Sequence, residues 1–438
     1  MQANSTGPTS SFSPPNTEPV LHPATPLLPF ISDTLLSCVV PIAVYWVLSM
    51  VFHYIDQYEL LEKYRIHTPE EVLKRNHVSR YEVIRDVIIQ QVVQFIVGLA
   101  LGYIEPEEMT GAEPWDIYRL SQSVGWAATL FLSLLGIDGQ ALAANAHIYL
   151  STHGGGFGAL VANIDWRWKI AEALYWICFP LLRLAVAIFV LDTWQYFWHR
   201  LMHQVPFLYR TLHSRHHRLY VPYAFGALYN HPVEGLILDT LGAGLGFKVS
   251  GMSMKGSILF FGFSTMKTVD DHCGYKLPFD PLQLIFSNNA EYHDIHHQGW
   301  GIKHNFSQPF LICWDRWLGT IYTGGDAAER NKRTKERIHR QLEAEAAKKC
   351  ESSEATKQDE YAARRSLPEE DDVEFIKTSI VSKPSSPAAA STEVPRQRRR
   401  TRTITLADVA GKDMAESVKE AGEWVNGMVG NVSGAKVR

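Results

Sequence analysis

The stretch ALYWICFPLLRLAVAIFVLDTWQYFWHRLMH, Ala173 to His203, decides how the rest of the chain must fold. Up to Trp198 it is almost wholly apolar, interrupted by Arg183 and Asp192. At 1.5 Å per residue this part is about 39 Å long, more than the ~30 Å hydrocarbon core of a bilayer. A transmembrane helix is therefore predicted, and ionisable residues at such a depth point to function. Where the apolar run ends, His199 and His203 follow four residues apart, which stacks them on one face of a helix.

Other apolar runs lie on both sides. Thr34 to Tyr54 is long enough for a second crossing. Val87 to Tyr103 is a third, and its Gln90, Gln91 and Gln94 are expected to face protein rather than lipid. Runs from Gly235 and Gly256 are shorter and suit a re-entrant or tightly packed helical hairpin. The glycines of GAGLGF there follow no strand, so they are read as close helix contacts, not as a nucleotide loop. The segment from Leu120 fits either an interfacial helix or a crossing. The loop between the first two spans carries Lys63, Arg65, Lys74, Arg75 and Arg80, which places it in the cytosol. If Leu120 does not cross, His199 returns to that same face.

The formal net charge of −4 gives no pull toward nucleic acid. Five scattered cysteines argue against a disulfide framework. The expected organisation is a disordered N-terminus over 1–31, transmembrane helices and loops over 32–190, a catalytic region with histidine boxes over 191–322, and a charged, largely disordered tail over 323–438. In that tail, 351–395 is expected to be disordered, and RQRRRTRT from Arg396 is a basic cluster suited to anionic lipid. The fold class is all-α: an integral membrane helical bundle with a cytosolic-facing, histidine-rich metal domain.

Of 18 histidines, ten fall between His199 and His297. WHRLMH gives HxxxH; HSRHH (His213, His216, His217) and HDIHH (His293, His296, His297) are both HxxHH. Positions i, i+3 and i+4 share a helix face, so each motif is expected to aim two or three imidazoles at one point. With His272 and His231 added, there are too many imidazoles for one four-ligand site, and two metals are expected. The motif at His199 is not HExxH, because Arg200 stands where a zinc protease keeps its glutamate. Asp192, Glu234, Asp270, Asp271 and Asp294 lie beside the motifs and suit the task of orienting ligand ring N–H groups. Imidazole alone does not choose among zinc, iron, copper and nickel. A histidine-rich metal transporter or a zinc hydrolase is the alternative from a different class. A transporter is expected to hold its ligands at mid-membrane, whereas these follow the spans.

The wording around the motifs carries more. DTWQYFWHRLMH, LHSRHHRLYVPYAFGALYNHPVEG, TMKTVDDHCGY and NNAEYHDIHHQ resemble the fatty-acid hydroxylase/sterol desaturase superfamily, and within it the sphingolipid C4-hydroxylase (sphinganine hydroxylase) branch of fungal type. The resemblance runs from about Ser32 to Tyr322. It implies an oxygen-dependent monooxygenase of the endoplasmic reticulum membrane with two iron ions. Such an enzyme hydroxylates C4 of dihydrosphingosine or dihydroceramide, using electrons from NAD(P)H through a reductase and cytochrome b5. It also implies the metal ligands His199, His203, His213, His216, His217, His272, His293, His296 and His297, with His231 a further candidate. A sterol desaturase or methyl oxidase, or a fatty-acyl 2-hydroxylase, is the alternative within the superfamily. Trp194, Tyr196, Phe197, Tyr220, Tyr223 and Phe225 are candidates for lining a substrate channel, with LYVPYAFGALYN as the wall between metal and lipid.

Overall fold

The computed structural model describes residues 18–154 and 165–365. It divides into a unit Met1–Ser352 and a second, Ser353–Arg438, of which only the helical residues up to Arg365 are described. The basic cluster at Arg396 lies outside the described residues.

The architecture is helical. The only paired strands among the described residues are His22–Pro23 and Met109–Thr110. Three helices are long and apolar enough to cross a membrane: α1 (Asp33–Gln57), α3 (Arg80–Tyr103) and α5 (Trp166–Gln204). Between the first two lies the short α2 (Pro69–Arg75). The Leu120 segment falls in α4 (Glu113–Leu134), which packs on the first turns of α5 and is not among the three. The hairpin consists of α6, formed by Pro232–Gly235, the wider π-turn Leu236–Leu241 and Gly242–Ser250, followed by α7 (Met254–Asp271). Then come α8 (Ala290–His297) and α9 (Ala327–Arg365). The last runs past residue 351, so the Ser- and acid-rich stretch begins as helix rather than as the disordered segment expected.

Local chemistry sets the boundaries. Ser32 caps α1 by accepting from the Leu35 N–H. Thr68 with Glu71 and Ser79 with Glu82 form capping boxes for α2 and α3. Gly251 ends α6 at φ +62°, a left-handed conformation that glycine adopts without strain, and Ser253 at once caps α7. Inside α5, Pro180 lacks the N–H that would continue the ladder. The π-turn Leu174–Cys178 just before it takes up the mismatch.

Lipid tails are as apolar as leucine, so helices in a bilayer associate through close packing and polar contacts. α7 lies along α1 and α6 along α5. A Cβ on Gly242 would meet Trp194 at 2.8 Å, and one on Gly246 would meet the Ala187 carbonyl at 2.9 Å. GAGLGF is thus a helix-contact motif. Gln90 and Gln91 are buried at 0% and 5% exposure; Gln91 accepts from the Trp46 indole (2.9 Å). The Tyr45 hydroxyl donates to the Phe225 carbonyl (2.7 Å).

The two ends of the bundle are distinct. At one, Lys248 pairs with Glu105 (2.5 Å) and Glu108 accepts from the Met254 N–H (2.9 Å). At the other, Tyr275 and Arg65 both donate to Asp56 (2.6 and 2.8 Å), which fastens the basic loop beside His272. That loop and the histidine motifs therefore share one end.

Gly246→Ala should lower stability by about 1–3 kcal/mol, because a methyl there overpacks against a backbone carbonyl. Gly244→Ala, where a Cβ meets nothing within 4 Å, should be close to neutral. Thermal unfolding of both variants in detergent, followed by size-exclusion profile, checks the pair.

Candidate metal centre

The end of α5 supplies His199 and His203; the turns after it supply His213, His216 and His217; His272 caps α7; and α8 supplies His293, His296 and His297. Their nitrogens gather into two groups. His199, His203, His213, His217 and His296 form one, and His216, His272, His293 and His297 the other, with the ligand atoms of each within 4.8 Å of one another. All nine are buried except His203, which is half-buried.

Each HxxHH motif divides between the groups. His213 and His217 go to the first and His216 to the second; His293 and His297 go to the second and His296 to the first. Each HxxHH motif thus aims two rings, not three, at one point. Residues i and i+4 keep one face, but neighbours such as His216 and His217 diverge by about 100° on a helix of 3.6 residues per turn.

The tautomers follow from the hydrogen bonds. A carbonyl only accepts, so the ring nitrogen facing one must carry the proton. Nδ1–H donates to a backbone carbonyl from His199 (to Phe306, 2.8 Å), His216 (to Tyr229, 3.2 Å), His272 (to Thr268, 2.9 Å), His296 (to His304, 2.7 Å) and His297 (to Leu219, 2.7 Å). His213 Nδ1–H donates to the Glu234 carboxylate (2.5 Å). Their Nε2 atoms are left as lone-pair bearers, and those of His199 and His213 face each other at 3.1 Å. Lone pairs at that distance repel unless a cation stands between them. His203, His217 and His293 bring their Nε2 atoms equally close: 2.8 Å for His203–His213, 3.0 Å for His213–His217, 3.1 Å for His203–His296 and 3.0 Å for His272–His293. Ligands about 2.0–2.2 Å from one cation and at right angles to each other lie about 2.8–3.1 Å apart. The residues fit a metal in each group.

Burial keeps the rings neutral, as ligands must be. It pushes His216 down to about 4. Burial, with the neighbouring imidazoles, holds His213, His217 and His293 well below the ordinary range.

His231 belongs to neither group. Its Nδ1 accepts from the Val233 N–H (3.2 Å) and caps α6. Of the five carboxylates, only Glu234 touches a ring of either group. Asp192 accepts from the Phe310 and Leu311 N–H groups (3.2 and 2.6 Å), tying to α5 the loop whose Phe306 carbonyl anchors His199. Asp270 and Asp271 flank the fully buried ammonium of Lys267. Asp294 turns outward to His67 Nε2 (2.8 Å), Gln298 (2.9 Å) and Asn331 (3.3 Å). Two residues that sequence reasoning passed over also shape the site. Asp315 accepts from the Phe306 and Ser307 N–H groups (3.0 and 2.7 Å). His67 lies between Asp294 and Glu71 (3.2 Å). Burial alone would lower the His67 pKa, but the two carboxylates override it and push it up to about 9.

A small cavity of about 20 Å³ touches both groups, through His213 of the first and His216, His272 and His293 of the second. Beside it a cavity of about 540 Å³, within the usual size of ligand sites, runs down the bundle between α1, α3, α5, α6 and α7. Met254 and Thr268 both line it, and the rise between them is about 21 Å. Of the channel candidates only Trp194 faces this cavity. Tyr196 packs on Phe306 and Trp314, Phe197 on Trp314, Tyr220 on His77, and Phe225 on Trp46 and His53; Tyr223 is buried in the core around α1. The segment LYVPYAFGALYN does reach the cavities, but through Ala227, Leu228 and Asn230. Its 3₁₀ turn Ala224–Leu228 sends the two large aromatics the other way.

A profile of the fatty acid hydroxylase family matches residues 184–320. The chain is 43% identical to the sphingolipid C4-hydroxylase of Saccharomyces cerevisiae, over 72% of its own length and 79% of that protein's. The chain belongs to the fatty acid hydroxylase family. It is equally 43% identical to the sphingolipid C4-hydroxylase of Schizosaccharomyces pombe (65% and 87% of the two lengths) and to sphinganine C4-monooxygenase 1 of Arabidopsis thaliana (66% and 88%). The matched region of the family profile begins in α5 and ends just after Asp315, so it contains both histidine groups. No solved structure matches the chain.

Two outcomes are expected. His296→Ala should take bound metal toward half the wild-type content with membrane insertion intact, while His231→Ala should keep all of it and lose only a helix cap, about 1 kcal/mol or less. Elemental analysis of the purified variants reads this directly. The His67 ion pair should stabilise the fold fully below about pH 6.5, the unfolded value, and be lost as pH rises through about 9. The loss should be on the order of 2–3 kcal/mol. Unfolding curves at pH 6 and pH 10 should differ less in His67→Gln than in the wild type.

Proposed function

We propose that the chain is a membrane-embedded di-iron monooxygenase that hydroxylates C4 of dihydrosphingosine, free or within dihydroceramide, giving phytosphingosine or phytoceramide. One observation carries this reading: a long apolar cavity opens onto a small one bordered by both histidine groups. The relatives named for this reaction agree with it.

C4 of a saturated chain is unactivated, and bound iron, unlike zinc, supplies the redox change that lets dioxygen attack such a carbon. His199, His203, His213, His217 and His296 would hold one ion, and His216, His272, His293 and His297 the other. The chain's own residues do the rest. Nδ1 anchors on backbone carbonyls stop the rings from turning, which fixes each lone pair. Leu191, Ala243 and Phe261 wall the long cavity and keep water from an alkyl chain lying in it. A chain seated against Leu228 and Trp194 can present only a short segment to the histidines, and this positioning selects one carbon over its neighbours.

We place the histidine end in the cytosol and the protein in the endoplasmic reticulum membrane. The reading rests on the resemblance and on Lys63, Arg65, Lys74, Arg75 and Arg80 lying at that end. NAD(P)H, a reductase and cytochrome b5 would then deliver electrons to the same face as separate partners. A zinc hydrolase reading lacks its glutamate base, since Arg200 stands at that position.

Purified in detergent, the chain should retain about two iron per molecule, as a two-metal site requires. In a strain lacking its own C4-hydroxylase it should restore 4-hydroxylated sphingoid bases only when oxygen is supplied. Zinc with oxygen-independent turnover would overturn the reading. In sealed microsomes, protease added outside should remove a C-terminal tag; protection of the tag would reverse the assigned sidedness.

A further inference from the structure

The long cavity and the small one meet at Gln195, Asp239, Thr268 and Pro309, which line both. Asp239 is the one charged residue of these four. Its Oδ2 accepts from Gln90 Nε2 (3.1 Å) and its Oδ1 from Gln195 Nε2 (3.3 Å). The Gln94 amide also bonds it. A carboxylate has about four acceptor positions, so these neutral amides do not fill it. Burying that charge among apolar walls is costly without a partner that donates strongly. Next to Asp239, Gln90 Oε1 and Thr240 Oγ1 are both buried with no hydrogen bond. The open acceptor positions of Asp239 suit a ligand that donates.

The backbone is built around this feature. Asp239 sits in the π-turn Leu236–Leu241, a wider turn that commonly marks functional sites. Gly235, one turn earlier, has no side chain because a Cβ there would lie 2.3 Å from the Gln90 amide. Gln90 is held against Asp239 through the absence of that atom.

A sphingoid base carries its donors in one block: hydroxyls on C1 and C3 and a nitrogen on C2. C4 is the next carbon. We infer that Asp239, steadied by Gln90 and Gln195, binds the C2 nitrogen and C3 hydroxyl of the substrate and so sets C4 at the small cavity beside His213, His216, His272 and His293. This rests on the function proposed above. The alkyl chain beyond C4 then runs down the long cavity.

The test uses the full-length, metal-loaded protein in detergent. Binding is read as ligand-induced thermal stabilisation and turnover as 4-hydroxylated product. The ligands are sphinganine, dihydroceramide and octadecane-1,3-diol, which lacks the nitrogen. Asp239→Asn should weaken sphinganine binding about 10- to 100-fold, the worth of one charge-assisted hydrogen bond. Its preference for sphinganine over the diol should collapse, with metal content and response to the diol unchanged. Asp239→Asn should affect sphinganine far more than dihydroceramide, whose amide N–H is neutral. Asp239→Leu, which removes the acceptor altogether, should weaken both ligands. A wild-type preference for sphinganine over the diol in both variants, or loss of metal together with fold, overturns the inference. Asp239-dependent binding of sphinganine by a wild-type protein that forms no 4-hydroxylated product would overturn the proposed reaction and leave this site standing.

Discussion

Nine imidazoles crowded Nε2 to Nε2, six of them with the lone pair fixed inward, impose the constraint on which the rest of this structure depends. Facing lone pairs such as those of His199 and His213, 3.1 Å apart, repel. The fold must hold them there, and it does so from behind. Five rings are held through Nδ1 by backbone carbonyls of Leu219, Tyr229, Thr268, His304 and Phe306. Those carbonyls come from three stretches of chain far apart in sequence, 219–229, 268 and 304–306, so the site closes only when all three are in place. Much of the buried polar apparatus around it follows from this. Asp192 and Asp315 do not face the rings. They hold the loop that carries Phe306, by accepting its N–H groups and those of its neighbours.

The membrane bundle answers a second demand, a dry passage that ends at a polar centre. Helices in lipid have little hydrophobic reason to associate, and this bundle uses close glycine contacts on α6 and a few buried polar links. The glycines also let α6 lie against α5, while α3 stands far enough away to leave the long cavity between them. Polar side chains in the spans are therefore not scattered. Gln90, Gln91 and Gln195 lie at or near the neck of the cavity, where an apolar chain gives way to a polar head.

Much of this was legible in the sequence because it is local. Long apolar runs marked three spans, and the HxxxH and HxxHH motifs held eight of the nine histidines that gather, His272 being the ninth. Carboxylates were harder to read, because closeness in sequence does not tell a side chain where to point. Asp294, between two histidines of one group and one of the other, turns away to His67, 227 residues earlier. Tyr223 and Phe225 sit in the right segment, but its 3₁₀ turn directs them into the core around α1 and gives the cavity wall to Leu228. His231 fits the density of the histidine pattern and serves as a cap. Asp239 was passed over: as an isolated acid in a glycine-rich apolar run it carried the same hint as Asp192, but its partners Gln90 and Gln195 are far away in sequence.

The division of the HxxHH motifs explains why two adjacent histidines are needed. With a single metal, the i and i+4 residues of each motif would suffice, and the third would be redundant. Here His216 leaves the group that His213 and His217 join, and His296 leaves the group of His293 and His297. Each short turn is therefore shared between both groups, and neither can shift without moving the other. The turn around His213–Arg218 and α8 act as two interlocked brackets. Glu234 adds a third link, since it holds His213 from the start of α6, the same helix that carries Asp239 five residues further on. Ligand geometry and substrate neck are thus set by one rigid stretch, Glu234 to Asp239. An enzyme that must act on one carbon of a featureless chain needs that coupling, because an error in either part would move the oxidised carbon by a full bond.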